Sequence, residues 1–568
     1  MSISTQLFNG PLSNKFHQLL EKIHQNKIVS RILDRDFSVW MDNPQEISNR
    51  LDWLNSPIEM SEKIPEILKF VDNIREDRIE KVLLLGMGGS SLAAEVFAAT
   101  FGTKADFLEL HILDSTVPEA IIEKATSFDP AKTHYITSTK SGGTVETISL
   151  LNFFYNAAIE KLGTENTGNH FTAITDPDSE LFHLARTLDF RHVFVNNPNI
   201  GGRYSALSHF GLVPAAIIGC NLESLLYCVK KELTNTTPAT ELGVFLGAAV
   251  AQGRDKMTLI ASPEVAPLGI WIEQLIAEST GKNGTGILPI ADETFQPVDS
   301  YGNDRCFVYL RSNNSADTYA NSLISAGYPL LQFNLAEISD LAGAMYQWEL
   351  GTAIVGYLLK IHPFNQPDVE AAKIRARELI ESLQSTGNPT KNVLFPAEQC
   401  IQLTNVNDNT LNITTALDQL IAHGSNDHSY LAIQAYLHPN FEIQKLLKIL
   451  RQQLQELSNF ATTIGYGPRY LHSTGQLHKG DAGHGLFLQI TAEPNTDVVI
   501  PNLTANDNES LSFGTLVKAQ AQGDAEILKS KGRSVLQIHL GSDVIFGLGQ
   551  IIQALNNKLK SDDSETKS

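Results

Sequence analysis

Apolar positions change their period along the chain. Over residues 1–78 they recur at helical spacing, as at Phe16, Leu19, Leu20 and Ile23 and again at Ile64, Ile67, Leu68 and Val71, punctuated by Pro44, Pro57 and Pro65. This segment is expected to be a helical lead-in. From Lys81 short apolar runs alternate with helical ones: VLLLG, then SLAAEVFAAT; FLELHILD; THYITST, then a helical stretch to about Lys161; HFTAITD; and RHVFVN. That alternation predicts a parallel sheet with helices on both faces over 79–235. A second series over 236–385 repeats it with TLIAS, the helix PLGIWIEQLIAES, ILPIAD, RCFVYL, YPLLQFN and a long helix from about Glu337 to Lys360. The expected fold class is therefore α/β, with two doubly wound parallel-sheet domains side by side. After Gln384 the polar stretches STGNPTKN and NVNDNTLN lead to a third region, 405–560, with strands expected near 429–437, 485–491 and 534–540. It is expected to be a smaller α+β domain, and residues 561–568, SDDSETKS, a disordered tail.

Composition narrows the class of partner. At 568 residues the chain is too long for one core and fits three or four domains. A formal net charge of −20 with no Lys/Arg cluster disfavours nucleic acid and anionic membrane, which leaves a small molecule as the expected partner. No apolar stretch approaches the roughly 18 residues of a membrane span, and the first thirty residues lack the apolar segment of a secretory signal. Cys220, Cys228, Cys306 and Cys400 are scattered without zinc or redox spacing and read as buried thiols, so a soluble cytoplasmic protein is expected.

The candidate chemistry starts at STKSGGTVET, residues 138–147, where a strand feeds a helix through a hydroxyl-rich turn. Gly142 and Gly143 allow a sharp bend, and Thr139, Ser141 and Thr144, with backbone amides and the neighbouring Lys140, can converge at the helix N-terminus, where a phosphate binds well. The same residues also suit an ordinary capped turn. A second glycine-rich turn, LLLGMGGSSLAAE at 83–95, has Ser91 where a dinucleotide fingerprint needs its third glycine. It reads better as a backbone nest, with Gly89 and Ser90 facing an anion. Both turns fall at the carboxyl ends of expected strands, where such sheets bind ligands.

Five motifs, GMGGSSL, STKSGGTVET, GGRYSALS at 201–208, AESTGK at 277–282 and PFNQPDVEAAK at 363–373, stand in the order seen in phosphoglucose isomerases, which residues 80–385 thereby resemble. The first part is also similar to the wider group of sugar isomerase (SIS) domains, and Gly142 and Gly143 look more like that group than like the commonest isomerases. The tail beyond 385 is similar to the end of fused transaldolase and phosphoglucose isomerase proteins, although neither end of this chain offers the roughly 250 residues of a (β/α)8 barrel. The resemblance implies a glycolytic and gluconeogenic aldose-ketose isomerase acting on glucose 6-phosphate and fructose 6-phosphate. It needs no metal or organic cofactor, and a homodimer stays open. Two rivals are an enzyme that also accepts mannose 6-phosphate and a non-catalytic sugar-phosphate sensor.

Such a reaction needs a base to move a proton between adjacent carbons, a cation beside the enediolate oxygen and a group that opens the ring. Glu278 ends an apolar helix, so burial should raise its pKa toward that of a useful base, and the resemblance places the proton-shuttling glutamate there. Its alternative is a surface ion pair with Lys282, four residues on. Arg203, after Gly201 and Gly202, suits an enediolate clamp and keeps its charge when desolvated; the family puts this arginine beside the reacting carbons. A structural pairing with a carboxylate is its other reading. In the family, Gln366 and Lys373 handle a phosphate contact and the ring oxygen, whereas spacing alone also allows Lys373 to pair with Glu370. Typical members bring a ring-opening histidine from the partner subunit in the stretch corresponding to VDSYGNDRCF, and this chain has none between His209 and His362. GPRYLHSTGQLHKGDAGH, residues 467–484, reads either as a polar surface loop or as a source of that group, with His472 or His478 as donor.

Overall fold

The computed structural model describes residues 3–369, 375, 378, 379, 401–404, 412–425, 428–503 and 511–566. They form two compact units, one of Met1–Asp114, Lys124–Asp292 and Arg305–Gln366, the other of Ser115–Glu123, Glu293–Asp304 and Pro367–Ser568.

The first unit opens with strand β1 (Ser4–Phe8), where helix was expected, before the helices Ser13–Gln25, Ile28–Leu33 and Ser56–Glu76. Its first sheet holds β2 (Lys81–Gly86), β3 (Glu109–Leu113), β4 (Thr133–Ser138), β5 (Phe171–Thr175) and β6 (His192–Val195) in the order β3-β2-β4-β5-β6, all parallel. Val82, Leu83, Leu84 and Leu85 of β2 are fully buried, as expected of a parallel strand covered on both faces. The second sheet adds β7 (Lys256–Ala261), β8 (Leu288–Ile290), β9 (Arg305–Arg311) and β10 (Leu330–Asn334) in the order β1-β10-β9-β7-β8, with β1 the antiparallel edge. A five-residue run such as STQLF carries too little periodicity to declare itself; its backbone pairs along β10, from Ser4 with Asn334 to Phe8 with Leu330. One apolar cluster runs from Ile3 to Phe364 through both sheets, and within it the rings of Trp53 and Tyr204 lie 5.3 Å apart.

In the second unit, β11 (Ile401–Thr404), β12 (Tyr430–Tyr436), β13 (Ala461–Tyr466), β14 (Gly485–Ala492) and β15 (Ser534–Leu540) take the order β11-β15-β14-β12-β13. β11 is antiparallel and the other four are parallel, alternating with the helices Phe441–Ser458, Gly475–Gly480 and Phe513–Ser530. The expected α+β arrangement is thus limited to the edge strand. Residues 561–566, expected to be disordered, continue the helix Val544–Thr566, because extending an existing helix fixes few torsions per hydrogen bond; residues 567 and 568 lie outside the described residues.

Residues 467–480 of the 467–484 stretch are largely interior rather than a surface loop, whereas Ala482 and Gly483 are exposed. The stretch forms a tight turn, Arg469–His472, and the short helix Gly475–Gly480, whose Lys479 ammonium pairs with Asp524. Asp524 also accepts from the Tyr470 hydroxyl at 2.7 Å, which lies 2.9 Å from that of Tyr436. His478 is 2% exposed, and burial holds its pKa well below the ordinary value. The ring is thus enclosed within this unit, and His472 is half-buried. Among the described residues no helix is long and apolar enough to cross a membrane.

His209 gives the first unit an acid-labile point. It is 5% exposed, neither ring nitrogen has a hydrogen-bond partner, and burial lowers its pKa to about 4, with Glu66, Lys63 and His192 as the charged neighbours. Because the folded pKa lies below the unfolded one, the stabilisation is complete above pH ~6.5 and is lost as pH falls toward 4, up to about 3 kcal/mol. All four tryptophans, Trp40, Trp53, Trp271 and Trp348, lie in this unit, so urea unfolding followed by their fluorescence reports on it. Wild type is expected to lose stability over that range, and His209→Gln to lose measurably less.

Candidate active site

The first sheet reverses its strand order between β2 and β4, so the segments leaving these neighbours separate and open a crevice at their carboxyl ends. The two glycine-rich turns meet there. The Ser138 hydroxyl donates to the Ser90 carbonyl at 2.7 Å, tying the turn after β4 to the turn after β2.

In the β4 turn the Thr139 and Thr144 hydroxyls are 2.9 Å apart, with the Ser141 hydroxyl 3.5 Å from Thr144. Thr144 holds the N-cap position of the helix Val145–Leu162 in extended geometry, yet its side chain takes no capping hydrogen bond. The hydroxyls gather with one another instead, and the first-turn amides of the helix keep their field. Gly142 sits at φ +74°, with Ser179 so near that a Cβ would fall 2.7 Å from the Ser179 Cβ. Lys140, expected to face substrate, pairs with Asp176 and donates to the Pro198 carbonyl at 3.1 Å.

The β2 turn also reaches the arginine. A Cβ at Gly89 would lie 2.1 Å from the Gly202 carbonyl oxygen and 3.0 Å from the Arg203 nitrogen, so only glycine lets the two backbones touch. Arg203 is 4% exposed, and its guanidinium is fully engaged. Nε donates to the Ser279 hydroxyl at 2.8 Å, Nη1 to the Gln366 side chain at 3.0 Å, and Nη2 to the carbonyls of Pro363 at 2.9 Å and Asn365 at 2.8 Å. The Glu278 carboxylate lies 3.3 Å from Nη1.

Glu278 stands near the end of the helix Leu268–Thr280, 8% exposed, and accepts from the Gln274 amide at 3.1 Å. Guanidinium and amide stabilise the anion against the cost of burial. Lys282 is buried, and its ammonium donates to the carbonyls of His362 and Asn365, so the surface Glu278–Lys282 pairing is not what this helix end forms. Charge-assisted hydrogen bonds of this kind are worth about 1.5–3 kcal/mol each. Sequence reasoning missed the part played by Ser279, Lys282 and the 362–366 backbone. AESTGK contained the first two, but main-chain carbonyls leave no mark in residue identity. The structure thus brings together Gly89, Ser90, Thr139, Ser141, Thr144, Arg203, Glu278 and Gln366; Lys373 lies outside the described residues.

Residues 61–282 match the family described as phosphoglucose isomerase. A probable glucose-6-phosphate isomerase of Methanococcus maripaludis is 25% identical over 425 residues, covering 66% of this chain and 95% of that protein. A glucose-6-phosphate isomerase of Thermus thermophilus is 26% identical over 385 residues, 59% of this chain and 91% of that protein. Among solved structures, a hypothetical protein of Thermus thermophilus aligns with TM-score 0.55 at 23% identity, over 66% of this chain and 99% of that one. A glucose-6-phosphate isomerase of Chlamydia trachomatis aligns with TM-score 0.56 at 17% identity, over 65% and 86%. At these identities the structures establish a shared fold.

The contact at Gly89 gives a paired test. Gly89→Ala must separate two backbones and is expected to cost about 1–3 kcal/mol, as overpacked sites do. A Cβ at Gly202 meets nothing within 4 Å, so Gly202→Ala is expected to leave the unfolding midpoint nearly unchanged. Equal midpoints for the two variants would contradict the contact.

Proposed function

We propose that this relative of the phosphoglucose isomerases interconverts glucose 6-phosphate and fructose 6-phosphate through an enediolate. The observation that carries the reading is the Arg203–Glu278 pair, 3.3 Å apart, nearly closed to water and joined through the β2 turn to the hydroxyl cluster. That arrangement offers a carboxylate base, a permanent cation and a phosphate cradle within one compact unit.

In this reading the hydroxyls of Ser90, Thr139, Ser141 and Thr144 and the first-turn amides of the helix Val145–Leu162 hold the phosphate. Glu278 takes the proton from C2 of the open-chain aldose, the C–H electrons form the C1–C2 double bond and push the C1=O π electrons onto O1, and, once the O2 hydroxyl proton has passed to O1, the O2 electrons form the C2 carbonyl while the C1–C2 π electrons take the proton back from the same carboxyl at C1. Arg203 lowers the energy of the enediolate oxygen. For direct contact, Nη1 must exchange the Gln366 amide oxygen for the substrate, because its other bonds hold the site together. Ring opening falls to Lys373, with His472 or His478 as the histidine candidates. The enzyme is expected to act in the cytoplasm on a freely diffusing phosphosugar, without nucleic acid.

Glu278→Gln keeps the shape of the side chain and removes the base, so kcat for glucose 6-phosphate is expected to fall about 10²- to 10⁴-fold with KM within a few fold. Thr139→Ala with Thr144→Ala should raise KM and leave the pH profile in place. Wild-type turnover in Glu278→Gln, measured by coupled detection of fructose 6-phosphate, would refute the assignment.

A further inference from the structure

Lys282 has no role in the proton transfer, yet it is 2% exposed at the end of the helix that carries Glu278. Burying a long ammonium side chain costs both hydration and rotamer freedom, so its donors need good acceptors. Nζ donates to the carbonyls of His362 at 2.7 Å and Asn365 at 2.5 Å. Arg203 Nη2 donates to Pro363 and, like Lys282, to Asn365. Two cations therefore converge on one short stretch of backbone and share one carbonyl, whose two lone pairs they can both use.

Lys282 is firmly rooted. Lys282 forms a backbone bridge with Thr285, its amide donating to the Thr285 carbonyl at 2.9 Å. Thr280 is fixed between the Ile276 carbonyl, to which its hydroxyl donates at 2.7 Å, and the Ile287 amide, from which it accepts at 3.0 Å. The base, the Ser279 hydroxyl that holds Arg203, and the ammonium thus belong to one rigid helix end.

The start of the 362–366 stretch has other anchors. Phe364 packs on Trp40 and Tyr204 with ring centres 4.9 and 5.2 Å away, and its amide donates to His362 Nδ1 at 3.2 Å. His362 Nε2 faces the Gln45 carbonyl at 3.3 Å, so the ring is neutral with its proton on Nε2. Past Phe364, the cations hold the Asn365 carbonyl, and the next residue delivers its amide to Arg203.

We infer that Lys282 is a positioning residue: with Arg203 it clips the backbone of residues 362–366, which sets the Gln366 amide on the guanidinium and keeps that guanidinium beside Glu278. This rests on the isomerase reading for its effect on rate but not for the clip itself. The phosphate cradle lies on other segments, so loss of the ammonium changes turnover more than binding.

Lys282→Met is expected to lower kcat about 10- to 100-fold with KM within about threefold, and Lys282→Arg to recover part of the loss. Lys282→Met combined with Gln366→Ala should be no slower than the slower single variant, because both act through one contact. Hydrogen exchange supplies a readout independent of turnover: the Phe364 amide should exchange about tenfold faster or more in Lys282→Met, with the 139–144 turn unchanged. Unchanged exchange at Phe364, or fully additive losses in the double variant, would overturn the inference. If wild type itself fails to isomerise glucose 6-phosphate while Lys282→Met still loosens Phe364, the activity assignment falls and the clip stands. Should Lys282→Met not fold, as judged by circular dichroism, Lys282→Gln takes its place with the same expectations.

Discussion

A buried guanidinium must satisfy five N–H groups, and the first unit is assembled around the way Arg203 does so. Its acceptors come from the helix Leu268–Thr280, through Ser279 and Glu278, and from the 363–366 stretch. Ser279 lies 76 positions from it in sequence and Gln366 163. Arginine suits this task because it keeps its charge in a dry environment and its planar fork fixes where the acceptors stand. The desolvation of the cation, several kcal/mol for a buried ion, is offset by the nearby carboxylate and four hydrogen bonds. Glu278 is held by the same arrangement, so the geometry of the base and the closure of the core are one problem.

Topology sets what stands beside that pair. Because strand order reverses between β2 and β4, two loops leave the sheet at one place, and a hydroxyl-to-carbonyl bond between Ser138 and Ser90 locks them together. Thr144 illustrates how local preference yields to this setting. A threonine before a helix normally caps it, but here its hydroxyl turns to Thr139 and Ser141 and leaves the first-turn amides uncapped by its side chain. The helix end is thereby suited to a charged ligand and less so to its own stability.

The second unit has a different interior. Gln434, Gln489 and Gln537 stand in register on β12, β14 and β15, and Gln537 donates to Gln489 at 2.8 Å. Lys529 extends the row, donating to Gln537 at 3.0 Å, and the Lys479–Asp524–Tyr470–Tyr436 group lies in the same unit. Buried polar networks of this sort are tolerated only when their members find partners, and they specify one packing more sharply than an apolar core does. They also explain why a stretch rich in histidine and lysine ended up inside the protein.

Sequence alone determined the α/β class, most strands of the two sheets in the first unit, and the residue types at the crevice, because apolar periodicity and glycine-rich turns are properties of contiguous residues. The same source placed Glu278 on an apolar helix end and Arg203 after a pair of glycines. It did not reach β1, whose five residues acquire meaning only beside β10, nor β13, whose ATTIGY run is poor in large apolar side chains. It misread residues 561–566 of the helical end as disordered, and its surface-loop reading of 467–484 fails for residues 467–480, since polarity was taken for exposure while Asp524 and Tyr470 supplied the missing partners. Only the tertiary structure decided that Lys282 binds backbone carbonyls rather than Glu278. Main-chain acceptors are identical at every residue, so which of them a cation meets depends on how distant segments pack.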